Sequence, residues 1–469
     1  MPHYAIAPLA VTRRDTYTYR FPKALGRGHV VQVPYARSER TGVVLGPADA
    51  DPRAVAIIRV LPERLPDWQV RFAETLAARC LAPLGQTVGL LLPPWSEGKA
   101  ATDIPPLRSP RPTLLLEGDP WPRYAKETGD AAGQILVLVP EARLTRTRLP
   151  GAIPFTATLP IARRREVWEH VRRNPRAVVV GTRSALFLPW RKLAAVIVDQ
   201  EDELGHVNDR TPRYHAREAA LLLAARHGAR LILSSLSPSL RAWMLAGWPK
   251  FPEPSLASPD VLDTRNVPTR TTIPHGIPER ILEAPGEVLL HTVTRNVPLV
   301  RAAIDRTAPG ARVRVGGQPA LFSDRRYALV IALDFDALLS RPGYAVTERA
   351  VSLARKLAAR LVPGGRLLIP TAHPDHPALG WAAKPYGSFL AAELEERKHL
   401  GLPPAGPLVR IETERTDEPK VREGLKRAGV PDKRIRSTHA DGRTTVLVKW
   451  DPRRLRALLA PERRISVDY

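Results

Sequence analysis

Short, uniformly apolar runs alternate with helical stretches along the middle of this 469-residue chain, and this alternation constrains the fold most strongly. From Thr113 to about residue 250, the apolar runs lack the period-two polar pattern of a half-exposed strand. Strands that are apolar on both faces and separated by helices are typical of a parallel sheet covered on both sides. The predicted strands of this first series cover residues 114–116, 135–139, 177–180, 194–198 and 231–233.

A second series of the same kind follows, so the sequence predicts two consecutive parallel α/β lobes. Its predicted strands cover residues 288–290, 313–315, 329–333 and 367–369, with an amphipathic helix over 346–361.

The two ends of the chain predict smaller domains. Strand signals at 29–34 and 42–46, separated by a basic turn over 37–40, predict a β-rich first domain closed by a helix around 72–81. The tail from Pro407 predicts a small α+β domain with the order β-α-β-α-β. With a polar, proline-rich linker over 98–112, the predicted domains are residues 1–104, 113–260, 270–405 and 406–469.

Charge and cysteine content limit the possible functions. A formal net charge of +24 is spread along the chain, which favours a polyphosphate partner such as nucleic acid. Cys80 is the single cysteine, so cysteine-ligated zinc sites and internal disulfides are excluded. No apolar run reaches about 18 residues and the N-terminus has no apolar leader, so we expect a cytoplasmic protein without a membrane span.

The end of one predicted strand carries the residues Asp199, Gln200 and Glu201. In nucleic-acid motors a strand of this kind ends in Asp-Glu, where the Asp holds Mg²⁺ and the Glu activates the attacking water. Gln200 occupies the second position, and an amide can orient a water but cannot accept its proton.

Several sequence motifs resemble those of the PriA family of primosomal replication-restart proteins, which have a superfamily 2 helicase core. Matches occur in order along the whole chain, and the implied fold is two RecA-like parallel-sheet lobes, a preceding β-rich 3′-DNA-end-binding domain and a following α+β domain. The matching motifs are Thr16–Pro22, Val31–Tyr35, Leu138–Glu141, Gly181–Phe187, Arg213–Arg217, Ser234–Pro238, His373–Pro377 and Leu400–Pro404.

The phosphate-binding loop of such a helicase is the first departure from the family. The matching register begins at Gly118 and places Tyr124 and Ala125 where the loop needs Lys and Thr. Two prolines remove amide donors in between, and Asp119 repels phosphate. We therefore expect no usual triphosphate cradle.

The second lobe departs from the family pattern as well. The family's Gly-Arg-Ala-Gly-Arg helix is matched by residues that keep one finger-like arginine, Arg360, and replace the other with Pro363. The family's zinc-binding cysteines are missing, and the linker at 98–112 has no room for its winged-helix insertion. These losses predict a degenerate member, without zinc and without intact Mg-ATP binding, that neither hydrolyses ATP nor unwinds DNA.

The family resemblance also implies a pocket for the 3′-terminal nucleotide in the first domain. Tyr17 takes the position of the ring that stacks on the base, and Thr18 takes the position of an Asp that bonds the 3′-hydroxyl. An ordinary strand role for Tyr17 stays open.

Other interpretations remain for particular residues. Asp199 and Glu201 could still bind Mg²⁺, although a structural role at the strand end is favoured. A rigid turn is favoured over a metal site for His373, Asp375 and His376. The basic runs 163–165 and 172–173, on a helix around Trp168, could line a DNA groove or form a solvated face.

For the whole chain, the resemblance predicts a replication-restart protein that binds branched DNA and stalled forks. The implied partners are DNA with 3′-ends, primosome proteins, the machinery that loads the replicative helicase, and single-strand-binding protein. An active 3′-5′ helicase with atypical motifs is the alternative. Residues 327–331 and 361–369 also resemble the later strands of S-adenosylmethionine-dependent methyltransferases. That interpretation requires an upstream glycine-rich turn followed by an acidic residue that holds the ribose, and neither stands clearly in the sequence.

Overall fold

We describe the protein from a computed structural model that carries all side chains. The described residues are 1–10, 12, 14–93, 110–116, 119–145, 149–249, 256–267, 272–440, 442–452, 454–455 and 464–469. The chain forms two compact units, the first comprising Met1–Ser235, Arg241–Pro249 and Arg397–Tyr469, and the second Leu236–Leu240 and Lys250–Glu396.

The first domain is a six-stranded, mostly antiparallel sheet with the order β5-β2-β1-β4-β3-β6. Alternating burial along its central strands produces a core of valine, isoleucine and tyrosine side chains on one face. Two helices follow the sheet. The elements are β1 (His3–Pro8), β2 (Tyr17–Arg20), β3 (His29–Tyr35), β4 (Ser38–Pro47), β5 (Val55–Ala56), β6 (Arg59–Arg64), α1 (Asp67–Cys80) and α2 (Leu84–Gly89).

Lobe 1, in the same unit, contains a fully parallel six-stranded sheet with the order β7-β12-β11-β8-β10-β9. Its central strands are buried on both faces, as their apolar sequences predict. The elements are β7 (Thr113–Leu115), α3 (Trp121–Gly129), β8 (Gln134–Leu138), β9 (Ile153–Phe155), α4 (Ile161–Arg173), β10 (Val178–Gly181), β11 (Leu193–Asp199), α5 (Ala216–His227) and β12 (Arg230–Ser234).

Lobe 2, in the second unit, contains a parallel five-stranded sheet with the order β13-β17-β16-β14-β15. The elements are β13 (Pro259–Asp263), α7 (Ile277–Leu282), β14 (Val288–His291), α8 (Val297–Thr307), β15 (Val313–Gly316), β16 (Tyr327–Ala332), α9 (Phe335–Leu339), α10 (Val346–Ala358), β17 (Leu361–Thr371) and α11 (Pro377–Ala382). The chain passes between the units after Ser235, within α6 (Leu240–Leu245), after Pro249 and within α12 (Tyr386–Leu400).

The C-terminal domain, part of the first unit, contains an antiparallel sheet with the order β19-β20-β18-β21 and, among its described residues, one α-helix. The elements are β18 (Leu408–Glu414), α13 (Glu418–Arg427), β19 (Ile435–Ala440), β20 (Arg443–Val448) and β21 (Arg464–Asp468).

The predicted fold class is confirmed: RecA-like parallel-sheet lobes follow a β-rich domain and precede a small α+β domain. Details differ from the sequence predictions. The helix expected over 346–361 ends at Ala358, because β17 begins at Leu361. Residues 38–40 belong to β4 rather than to a turn. In the tail, α13 is followed by the β19–β20 hairpin, where the prediction had a single strand; residues 456–463, between this hairpin and β21, lie outside the described residues.

The short strands β9 and β13 were not predicted. β9 has only three residues and β13 is largely exposed to solvent, so neither provides a clear apolar pattern. Within the described residues, no helix combines the length and apolar character that crossing a membrane requires.

Candidate functional site

The carboxyl ends of the lobe 1 strands collect the residues that the sequence analysis singled out. Asp199 is the last residue of β11, and its register partner Ser234 is the last residue of β12. Helix α3 begins at Trp121, a few residues after β7 ends. In open α/β sheets, ligands bind at the carboxyl ends of the strands.

Tyr124 and Asp199 are bonded to each other inside lobe 1. Tyr124 lies in α3 and is fully buried, and its Oη donates a hydrogen bond of 2.9 Å to Asp199 Oδ1. The tyrosine ring packs in the core with Ile135 and Val137. Asp199 is 4% exposed. A neutral phenol therefore occupies the position that the resemblance assigns to a lysine, and it binds the carboxylate assigned to Mg²⁺.

The start of α3 offers little to a phosphate group. Pro120 precedes the helix and Pro122 lies in its first turn, so two amide donors are missing. Asp119 Oδ1 accepts the amide of Trp121 at 3.4 Å. Ala125 continues the helix. Gly118, predicted to open the loop, lies outside the described residues.

Glu201 is also bonded within lobe 1. It is fully buried and forms an ion pair with Arg217, which lies in the first turn of α5. Between the two carboxylates, Gln200 has a φ of +49°, in the left-handed region, and its carbonyl accepts the amide of Glu203. The chain thereby directs Asp199 toward α3 and Glu201 toward α5.

Glu218, next along α5, joins three parts of the first unit. It accepts two hydrogen bonds from Arg241 and lies 3.6 Å from Arg217 and 3.8 Å from Arg79 of α1. Burial alone would raise the pKa of Glu218, but the hydrogen bonds from Arg241 and the surrounding positive charges lower it to about 2. The carboxylate is therefore an ionised structural centre at neutral pH.

Sequence reasoning missed these roles of Arg217 and Glu218. Arg217 belongs to the Arg213–Arg217 motif, one of those on which the family resemblance rests. The motif alone did not indicate which carboxylate Arg217 would pair with. An arginine beside a buried acidic strand end was the available signal, because buried carboxylates need cations.

Arg360 of lobe 2 lies just before β17, is 8% exposed, and donates to the carbonyl of Ser323. Burial and the neighbouring charge of Arg326 lower the pKa of Arg360 to about 10. The guanidinium is thus held by the backbone of its own lobe.

In the first domain, β2 places Tyr17 and Thr18 next to β1, opposite Ile6 and Ala5. Both side chains are half-buried. The ring of Tyr17 meets Tyr35 edge-on, with centroids 5.4 Å apart. Tyr17, the predicted base-stacking residue, therefore has an aromatic neighbour in this domain.

The remaining candidate clusters are bonded locally. On α4, Arg163 pairs with Glu166, while Arg172 and Arg173 both pair with Glu169. His376 caps the short helix α11 by accepting the amide of Ala378. The described residues contain no group of three or more His, Cys, Asp or Glu side chains arranged to hold a metal ion.

Comparison with known families matches residues 7–93 to the 3′DNA-binding domain (3′BD) of PriA. The replication restart protein PriA of Haemophilus influenzae is 34% identical over 128 residues, which cover 26% of this chain and 18% of that protein. For PriA of Helicobacter pylori strain J99 the identity is 26% over 273 residues, covering 52% and 44%. For PriA of Bacillus subtilis it is 32% over 121 residues, covering 24% and 15%. The matches thus span less than half of each of these relatives.

Solved structures of helicases also align with the chain. RecG bound to a three-way DNA junction covers 72% of this chain and 47% of its own, with a TM-score of 0.39 and 10% identity. The DUF1998 helicase MrfA bound to DNA and AMPPNP covers 77% and 62%, with a TM-score of 0.36 and 11% identity. Because these TM-scores are low, the fold assignment rests on the strand order within each lobe and not on these alignments.

Proposed function

Because the chain belongs to the PriA family, we propose that it is a replication-restart protein that binds branched DNA and stalled forks without hydrolysing ATP. Its partners in this role are DNA with 3′-ends, primosome proteins, the loading machinery of the replicative helicase and single-strand-binding protein. It promotes replisome reloading through binding.

The hydrogen bond from Tyr124 to Asp199 is the observation that carries this proposal. A phosphate loop must provide a cation, several amides and a hydroxyl to Mg-ATP. Here the cation position holds a buried phenol, and the phenol is bonded to the carboxylate that would hold Mg²⁺. Glu201 is engaged by Arg217, so both acidic side chains have partners inside lobe 1. The residues present do not fit Mg-ATP, and no catalytic step is assigned to it.

The first domain supplies the DNA-binding side of the proposal. Its match to a 3′DNA-binding domain covers the strand that carries Tyr17 and Thr18. The half-buried ring of Tyr17 stacks on the terminal base, an interaction worth roughly 1 to 3 kcal/mol per base. The hydroxyl of Thr18 bonds the 3′-hydroxyl in place of the family's carboxylate.

Fork binding tests this part of the proposal. Tyr17→Ala should weaken binding to a fork with a free 3′-end by roughly 5- to 100-fold, and should weaken binding to plain duplex much less. Tyr17→Phe is the matched control, since it keeps the ring and should retain 3′-end preference. Equal losses on both DNAs with Tyr17→Ala would assign Tyr17 a structural role instead.

A further inference from the structure

Lobe 2 carries a group of exposed arginines that the proposed function has not used. Arg312 and Arg314 are exposed residues at the start of β15, and Arg325 and Arg326 are exposed residues just before β16. We call these four side chains the lobe 2 arginine face.

The position of β15 explains the exposure of its arginines. β15 is an edge strand of its sheet. Val313 and Val315 pack into the core formed with helix α8. Because side chains alternate along a strand, Arg312 and Arg314 project from the opposite face.

Hydrogen bonds between the strands bring the other two arginines to the same end of the sheet, where strands β14, β15 and β16 begin. Val288 N, at the start of β14, donates to Arg312 O at 2.9 Å, and Ala328 N donates to Glu287 O at 2.9 Å. Glu287 therefore lies between the starts of β15 and β16. Arg325 reaches Glu287 from the other side, with a distance of 3.7 Å between the charged groups.

Few carboxylates balance this positive charge. Within the part of lobe 2 that the structure describes, the pair between Arg325 and Glu287 is the one ion pair formed by the four arginines, and both partners are at least half exposed. Asp324 is the other acidic residue next to them in sequence. The positive charge of Arg326 also contributes to the lowered pKa of the neighbouring Arg360.

Helix α13 of the C-terminal domain shows the opposite arrangement. Each of its four cations lies within ion-pair distance of a carboxylate. The pairs are Lys420 with Asp417, Arg422 with Glu418, Lys426 with Asp432 and Arg427 with Glu423. The two groups therefore have equal formal charge and different local neutralisation.

We propose that the lobe 2 arginine face is a second DNA-contact surface that binds the phosphodiester backbone of a fork arm. Arginine forms bidentate hydrogen bonds with phosphate oxygens, and Arg312, Arg314 and Arg326 can make those bonds without first breaking an ion pair with a described residue, whereas Arg325 must exchange its exposed contact with Glu287. Phosphate contacts carry no direct sequence information, so we expect this contact to be independent of the base sequence. This inference rests on the proposed function, because it assumes that the chain binds forks.

The salt dependence of fork binding tests the proposal. In the full chain, all four arginines are changed to glutamine, and the affinity for a labelled fork is measured by fluorescence anisotropy at several salt concentrations. We expect binding roughly 10- to 100-fold weaker at low salt, with the slope of log affinity against log salt reduced by about 2 to 3. Changing the same residues to lysine should restore most of the slope.

The control is the four-residue neutralisation of α13, in which Lys420, Arg422, Lys426 and Arg427 become glutamine. It removes the same charge but should change the slope by less than about 1. An unchanged slope in the lobe 2 variant, or an equal change in the control, would overturn the proposed surface. Normal unfolding temperatures establish that both variants are folded.

Failure of this surface can be told apart from failure of the proposed function. If Tyr17→Ala loses 3′-end preference while the lobe 2 variant keeps the wild-type slope, the surface is wrong and fork recognition stands. If the lobe 2 variant loses slope while Tyr17→Ala has no selective effect, the surface stands and the 3′-end function fails.

Discussion

In lobe 1 the carboxylates of Asp199 and Glu201 are buried and bonded to side chains of the same lobe, whereas the arginines of the lobe 2 arginine face are exposed. The difference has direct consequences for ligand binding. A ligand that needed the lobe 1 carboxylates would have to break buried bonds, at a cost of several kcal/mol. A phosphate that binds the lobe 2 arginines displaces mainly water and counterions. The charges of Asp199 and Glu201 are therefore engaged inside lobe 1, whereas the lobe 2 arginine face leaves its charges available for binding.

The largest expected effect comes from breaking the lobe 1 ion pair. Arg217→Met leaves the buried carboxylate of Glu201 without this cation and should lower the free energy of unfolding by about 3 to 5 kcal/mol. Chemical denaturation measures the change. The single variant Arg314→Met in lobe 2 is the control and should cost less than about 0.5 kcal/mol. Equal costs would remove the contrast between the two regions.

Acidification should weaken the buried interior of the first unit. His227 packs edge-on against Trp68 of the first domain, and burial lowers the pKa of His227 from 6.5 to about 4. The unfolded chain therefore takes up the proton first as the pH falls. The stability contribution is fully present above about pH 6.5 and is lost as the pH falls toward 4.

For His227 alone, the loss between pH 7 and pH 5 is about 2 kcal/mol. The unfolding temperature should drop over this range, and His227→Gln should show a smaller drop than the wild type. A variant with the same pH dependence as the wild type would mean that His227 is not the titrating group.

A smaller effect is expected when the phenol hydroxyl of lobe 1 is removed. Tyr124→Phe keeps the buried ring but takes one donor from Asp199, which should cost about 1 to 3 kcal/mol of unfolding free energy. Nucleotide affinity should stay unchanged, because the start of α3 still lacks phosphate-binding groups. Isothermal titration with Mg-ATP checks the second point, and tight binding by this variant would show that the phenol alone closes the site.

The smallest effect is expected on the surface of the C-terminal domain. Arg427 and Glu423 are both well exposed and lie 3.8 Å apart, so Arg427→Gln should change the unfolding free energy by less than about 1 kcal/mol. A larger loss of unfolding free energy, measured by thermal denaturation, would show that exposed ion pairs of this kind contribute substantially to stability.

The sequence predicted the strands that have a strong apolar pattern of their own. The apolar runs that became β8, β11 and β16 predicted both parallel sheets, because strands covered on both faces must be apolar throughout. β9 and β13 gave no such signal, since one is very short and the other is exposed at an edge. The end of α10 was missed because the sequence after Ala358 continues a helical pattern while β17 takes over.

The candidate site was predictable in composition but not in bonding. The family resemblance predicted that Tyr124 takes the position of a lysine and Gln200 that of a glutamate. It did not show that the phenol would bond Asp199, since the two residues are 75 positions apart and meet only in the folded lobe. The four arginines of lobe 2 were also unremarkable in a chain with a net charge of +24, and only the strand order and register placed them at the same end of the sheet.

ATP hydrolysis and fork binding, measured on the same preparation of the purified chain, test the central claim most directly. We predict fork binding that weakens steeply with salt, together with no DNA-stimulated ATP hydrolysis above that of an Asp199→Ala control. Fork-stimulated hydrolysis that Asp199→Ala abolishes would contradict the account and establish an active motor with atypical motifs.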